Sequence, residues 1–185
     1  MDKSNELYRR FLQGDNDALG ALVNIYNERL ILFLYGFVKD SACAEDLAAD
    51  TFLYLLVKKP SFRQESAFKT WLFRIAQNKA IDFLRKQKRY PEISLDNIKT
   101  DLPSSDLPEL RLLQEERNRK LYIALQKLPG QYRTVLQLLY FEEMTYKQAG
   151  AVLRMSEKQI RNLSYNARNS LREACKKEGI ENAFE

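Results

Sequence analysis

The segment FRQESAFKTWLFRIAQNKAIDFLRKQKR, Phe62 to Arg89, gathers three side-chain chemistries within one short stretch. Trp71 and the phenylalanines offer surfaces on which unpaired bases stack. Gln64 and Asn78 offer amide hydrogen bonds, and Lys69, Arg74, Lys79, Arg85 and Lys86 offer charge to phosphates. A core helix with a solvated basic face has the same composition, so the segment alone leaves both readings open. A second concentration lies near the C-terminus, where Lys158, Gln159, Arg161, Asn162, Tyr165, Asn166 and Arg168 crowd eleven positions. Arg, Asn and Gln are the side chains that pair bidentately with guanine or adenine edges in the major groove.

Catalytic chemistry finds little support. The chain has no histidine, which removes the commonest general base, the usual metal ligand and every Ser-His or Cys-His dyad. The neighbouring carboxylates Glu45/Asp46 and Glu142/Glu143 would diverge by about 100° on a helix. There is no glycine-rich phosphate loop. Cys43 and Cys175 are far apart in sequence and predict two reduced thiols, not a disulfide or zinc site. We therefore expect no enzyme, no metal and no cofactor. The N-terminus MDKSNELYRR has no signal-peptide core, and no apolar run approaches the roughly eighteen residues that span a bilayer. A cytoplasmic protein without membrane insertion is the expectation.

Charge divides the 185 residues unevenly. Positions 1–90 carry 15 Lys/Arg against 11 Asp/Glu, 91–109 carry 1 against 5, and 110–185 carry 14 against 9. Two basic blocks flanking an acidic connector suit a polyanionic partner. Three of the five prolines fall within YPEISLDNIKTDLPSSDLPEL, which sustains no apolar period. It reads as a linker of about 60 Å maximal reach. The predicted organisation is an N-terminal domain 1–90, an acidic linker 91–110 and a C-terminal domain 111–185, all-α throughout, with no persistent strand alternation.

The elements that must hold these residues follow from 3.6-residue periodicity. Asn16-Asp17 opens an amphipathic run through Leu19, Leu22, Tyr26, Leu30, Phe33 and Phe37; a further helix spans about Ala42 to Val57, and Phe68, Leu72, Ile75, Ala76 and Phe83 mark the core stripe of the basic segment. Beyond the linker, Leu121, Ala124, Leu125 and Leu128 form a stripe ending at Pro129-Gly130, and another helix runs from about Gln131 to Phe141. Two capping boxes then follow, Thr145 with Gln148 and Ser156 with Gln159. They predict two helices joined by a turn at Arg154-Met155: a helix-turn-helix whose second helix buries Ile160, Leu163, Ala167 and Leu171. Gly150, mid-helix, predicts a close approach that only a small residue permits.

In this order, three segments resemble the extracytoplasmic-function (ECF) type of bacterial RNA polymerase sigma factor, over about Ala18 to Arg172. AEDLAADTF (Ala44 to Phe52) resembles the segment docking on the clamp helices of the polymerase. The 62–89 stretch resembles the segment that captures and melts the -10 promoter element, and LPGQYRTVLQLLYFEEMTYKQAGAVLRMSEKQIRNLSYNARNSLR resembles the -35-reading domain. The resemblance implies core polymerase and promoter DNA as partners, and commonly an anti-sigma protein. It assigns polymerase docking to Asp46, Leu47, Asp50 and Leu55, with Phe52 in the core. It assigns a flipped-base loop to Arg63, Gln64, Glu65 and Ser66, and upstream DNA to Asn78, Lys79, Arg85 and Lys86. Lys158 to Arg168, as named above, would read the -35 element. The sequence departs from the family pattern at Ala49-Asp50, at Arg154 where Gly is frequent, and at Leu163-Ser164 and Asn166, where cations are frequent. Fewer cations imply a shallower salt dependence of -35 binding. Two rivals carry other expectations: an autonomous helix-turn-helix regulator binding DNA alone, and a sigma-like protein that binds polymerase without reading promoters.

Overall fold

The computed structural model describes residues 3–62, 67–89, 124, 125 and 127–177, and among these it is all-helical, with no strand. The N-terminal part comprises α1 (Lys3–Leu12), α2 (Asn16–Val38), α3 (Ser41–Lys58) and α4 (Phe68–Arg89). The C-terminal part comprises α5 (Gly130–Leu136), a π-helical turn (Gln137–Phe141), α6 (Tyr146–Leu153) and α7 (Glu157–Lys177). The linker assignment, the 63–66 loop and Leu121 lie outside the described residues.

Side-chain caps set the helix starts. Asp15 accepts from the Ala18 amide at 3.2 Å to open α2, and Asp40 accepts from the Cys43 amide at 2.7 Å to open α3. α4 takes its cap from elsewhere in the chain: Phe68 N–H donates to Asn5 Oδ1 of α1 at 2.7 Å. That contact, and the Tyr8 hydroxyl donating to the Pro60 carbonyl at 2.8 Å, tie α1 to the approach to α4. Sequence periodicity did not single α1 out.

α2 is the central element of the first bundle, packed by α1, α3 and α4. By length and composition it is apolar enough to cross a membrane, but its Leu22, Leu30, Phe33 and Leu34 are fully buried in the protein core. At one end of the bundle, Tyr8, Phe62, Phe68 and Trp71 form a ring cluster with centroids 5.1–6.3 Å apart. Trp71 is therefore a half-buried anchor of this cluster.

The helix-turn-helix forms as its caps predict. Thr145 and Gln148 exchange both bonds of a capping box, at 2.8 and 3.2 Å, and Ser156 and Gln159 do the same at 2.8 and 3.3 Å. Arg154 ends α6 in the left-handed region (φ 57°), a conformation in which a side chain other than glycine's bears strain. A Cβ on Gly150 would lie 2.5 Å from the Met155 carbonyl oxygen and 3.7 Å from Ile160 Cγ1. The turn's own backbone, more than the partner helix, excludes a larger residue there.

The π-helical turn has no counterpart in the sequence reading. Its extra residue per turn shifts the register, so that Glu142 swings inward (2% exposed) while Tyr140 and Phe141 face outward (55% and 56%).

Candidate nucleic-acid interface

On α7, Ile160, Ser164, Ala167, Leu171 and Cys175 are buried, and their 3–4 residue spacing fixes the inner face. All seven residues expected to read DNA, Lys158, Gln159, Arg161, Asn162, Tyr165, Asn166 and Arg168, are exposed on the outer half. The Arg161 guanidinium lies 5.5 Å from the Tyr146 ring centroid, so α6 restrains the orientation of a base-reading candidate on α7. One departure from the family pattern needs a different reading. Ser164 is fully buried, its hydroxyl donating to the Arg161 carbonyl at 3.2 Å, and Leu163 is half-buried. Uncharged residues at these two positions lie on the inward side of α7; among the three, only Asn166 is exposed and affects the outward cation count.

On α4, Arg85 and Lys86 are exposed, with Arg85 3.5 Å from Asp82 one turn earlier. Lys79 is half-buried, its ammonium 5.7 Å from the Tyr54 ring centroid. Asn78 is half-buried and accepts a hydrogen bond from Arg154 Nη2 at 2.8 Å, a contact from the other domain. The cationic end of α4 is open; its middle is covered by the helix-turn-helix.

The docking helix α3 requires a correction. Leu47 and Leu55, expected on the polymerase-facing side, point into the bundle at 7% and 0% exposure. With Ala44, Ala48, Thr51 and Phe52 they form the stripe that packs inward; Phe52 is in the core as expected. Asp46 and Asp50 are exposed, and on their side of the helix stand Leu53, Leu56 and Val57 at 53%, 46% and 65% exposure. The exposed apolar residues stand one to two positions from Leu55, because TFLYLLVK is apolar on almost every side. Periodicity there does not separate core from surface. Beside the N-terminal turn, burial and the Asp40 carboxylate push the Cys43 thiol up to about 11.

Residues 22–90 match Sigma-70 region 2 and residues 124–173 match Sigma-70 region 4. The ECF RNA polymerase sigma factor SigM of Bacillus subtilis is 31% identical over 155 residues, covering 84% of this chain and 93% of that protein. The ECF sigma factor SigW of the same organism is 29% identical over 176 residues, covering 86% and 90%. Among solved structures, CnrH in complex with the cytosolic domain of CnrY shares the fold with a TM-score of 0.62 at 24% identity, covering 92% of this chain and 95% of that one. The sigma factor RpoE of Bartonella quintana in complex with the anti-sigma factor NepR gives 0.63 at 24% identity, covering 85% and 96%. With both sigma regions in order and near full-length relatives, the chain belongs to the ECF family of bacterial RNA polymerase sigma factors, which direct promoter-specific transcription initiation.

Proposed function

We propose that this factor divides promoter recognition between its two helical domains and itself performs no catalysis. The outer half of α7 enters the major groove of the -35 element, with Arg161, Gln159, Asn162 and Asn166 at base edges and Lys158 and Arg168 at phosphates. Arg85 and Lys86, with Lys79 and Asn78, hold DNA upstream of the -10 element. The Arg63–Ser66 segment takes an unstacked base, whose extrusion costs a few kcal/mol and is offset by stacking and edge contacts. The α3 face of Asp46, Asp50, Leu53, Leu56 and Val57 docks on core polymerase: carboxylates around an apolar centre suit a basic, leucine-bearing surface. An anti-sigma partner is part of this reading, as CnrH and RpoE are each held by another protein in the structures named above. The factor acts in the cytoplasm, where polymerase and DNA are.

The observation carrying this reading is a pair of polar faces, one in each domain: seven exposed polar or cationic side chains on α7, and the exposed Arg85 and Lys86 at the end of α4. Run-off transcription with purified core polymerase on genomic fragments tests it. Specific transcripts that depend on the protein support it. Polymerase binding without transcripts would make it an interaction protein, and tight DNA binding without polymerase would make it an autonomous regulator.

A further inference from the structure

α1 lies outside residues 22–90, the match to Sigma-70 region 2, and the division of labour proposed above gives it no task. Its contacts point to one. The Tyr8 hydroxyl donates to the Pro60 carbonyl at 2.8 Å, and Asn5 Oδ1 accepts from the Phe68 amide at 2.7 Å. These two bonds close on opposite sides of Arg63–Ser66, the segment assigned to the unstacked base. Ring contacts repeat the pattern. Before the segment, the Lys59 ammonium lies 5.1 Å from the Phe11 ring centroid, and Phe62 meets Tyr8 edge-on at 6.3 Å. After it, Phe68 and Trp71 pack on Tyr8 at 5.1 and 5.2 Å. Phe62 and Phe68 also meet each other, with centroids 6.0 Å apart. Both flanks therefore converge on one fully buried ring, that of Tyr8. α1 is itself fixed from behind, since Ser4 and Tyr26 of α2 share a 2.8 Å hydrogen bond.

The capping chemistry shows what α1 supplies that the local chain does not. A helix start leaves N–H groups without partners, and a Ser, Thr, Asp or Asn just before it commonly provides the acceptor. α2 and α3 follow that rule through Asp15 and Asp40. At α4 the cap position is Ala67, whose carbonyl accepts from the Trp71 amide at 3.3 Å but whose side chain has no acceptor. Asn5 provides it from 63 positions away. A base taken from the stack is held tightly only if the groups that meet it are placed in advance, because ordering them on binding subtracts from affinity. Tying both flanks of a short segment removes part of that cost beforehand.

We propose that Asn5 and Tyr8 are positioning residues for -10 recognition: α1 sets the two flanks of Arg63–Ser66 and so sharpens discrimination among bases there. The proposal rests on the assignment of that segment made above.

The test uses the full chain with core polymerase. Run-off transcription is measured on templates carrying each base in turn across the -10 element, and on a matching set across the -35 element. Tyr8→Phe keeps the ring and removes the hydroxyl; Asn5→Ala removes the acceptor, and Asn5→Asp restores one. Tyr8→Phe and Asn5→Ala are each expected to reduce the ratio between the preferred and the poorest -10 base roughly two- to tenfold, the worth of one hydrogen bond. Ratios across the -35 element and the Kd for core polymerase stay at wild-type values, and Asn5→Asp keeps the wild-type -10 ratio. Tyr8→Phe decides alone should Asn5→Ala fail to fold. Transcripts lost equally from every template, or -10 ratios unchanged, make α1 a stability element only and overturn the proposal. So does an Asn5→Asp loss as large as that of Asn5→Ala, since the acceptor would then not be what matters. A wild-type protein that itself does not discriminate among -10 bases refutes the assignment of Arg63–Ser66 instead, before any variant is compared, and removes the ground of this inference with it.

Discussion

Replacing Leu53 and Leu56 together by alanine should weaken core-polymerase binding while leaving the fold intact. Each leucine is about half exposed, at 53% and 46%. Fully burying a leucine stabilises by about 1.5–3 kcal/mol, so a partner covering the exposed half gains about 1 kcal/mol from each. Losing both gives about 2 kcal/mol, or roughly thirtyfold in Kd. Leu47→Ala is the internal control. Its side chain is only 7% exposed, so truncation leaves a cavity and should cost about 2–5 kcal/mol of stability. Fluorescence anisotropy of labelled protein titrated with core polymerase gives the Kd, and thermal denaturation by circular dichroism gives the stability. The reasoning is refuted if the double variant binds as wild type. It is equally refuted if Leu47→Ala binds weakly while melting at the wild-type temperature, since Leu47 would then be a contact residue and not a core one.

Other substitutions probe other links. Gly150→Ala gains about 1 kcal/mol of helix propensity but forces a methyl against the Met155 carbonyl, so it should lower the melting temperature; a higher one would mean the turn yields easily. The Arg10 guanidinium beside Asp15 holds that carboxyl below the usual carboxylate range, so its contribution is present at neutral pH and lost as pH falls through the lowered pKa. Denaturant unfolding of wild type and Asp15→Asn should therefore differ at pH 7 and converge in acid; a constant gap would contradict the sign. Arg161→Ala should relax discrimination at one base pair of the -35 element by about 1–3 kcal/mol in a competition binding assay, whereas equal loss on every sequence would mark a phosphate contact.

Much of this architecture was legible in the sequence because local rules set it. Both capping boxes formed where Ser/Thr and Gln stood three apart, and the turn falls at Arg154-Met155 between them, as their spacing predicts. The α7 reading face was legible too, since Ile160, Ala167 and Leu171 fix its opposite side by spacing alone. The α3 face was not. Asp46 and Asp50 could be placed outward, but in TFLYLLVK either Leu53 and Leu56 or Leu55 could have faced the core, and Leu47 one turn earlier was open in the same way. Only contact with α2 and α4 decides between them. Nor could spacing reveal the Arg29–Glu142 pair, whose members are 113 positions apart, or the π-helical turn that points Glu142 inward. Long-range complementarity of single residues leaves no periodic trace.

The most direct measurement of the central claim, that this chain brings polymerase to a promoter and holds its -10 strand unpaired, is permanganate reactivity of thymines. It is made on a promoter fragment with core polymerase, with the protein, and with both. Thymines around the -10 element should become reactive only when both are present, and reactivity should fall when Asn78 and Lys79 are replaced by alanine. Duplex protection persisting in the ternary mixture, or reactivity with polymerase alone, would contradict the account.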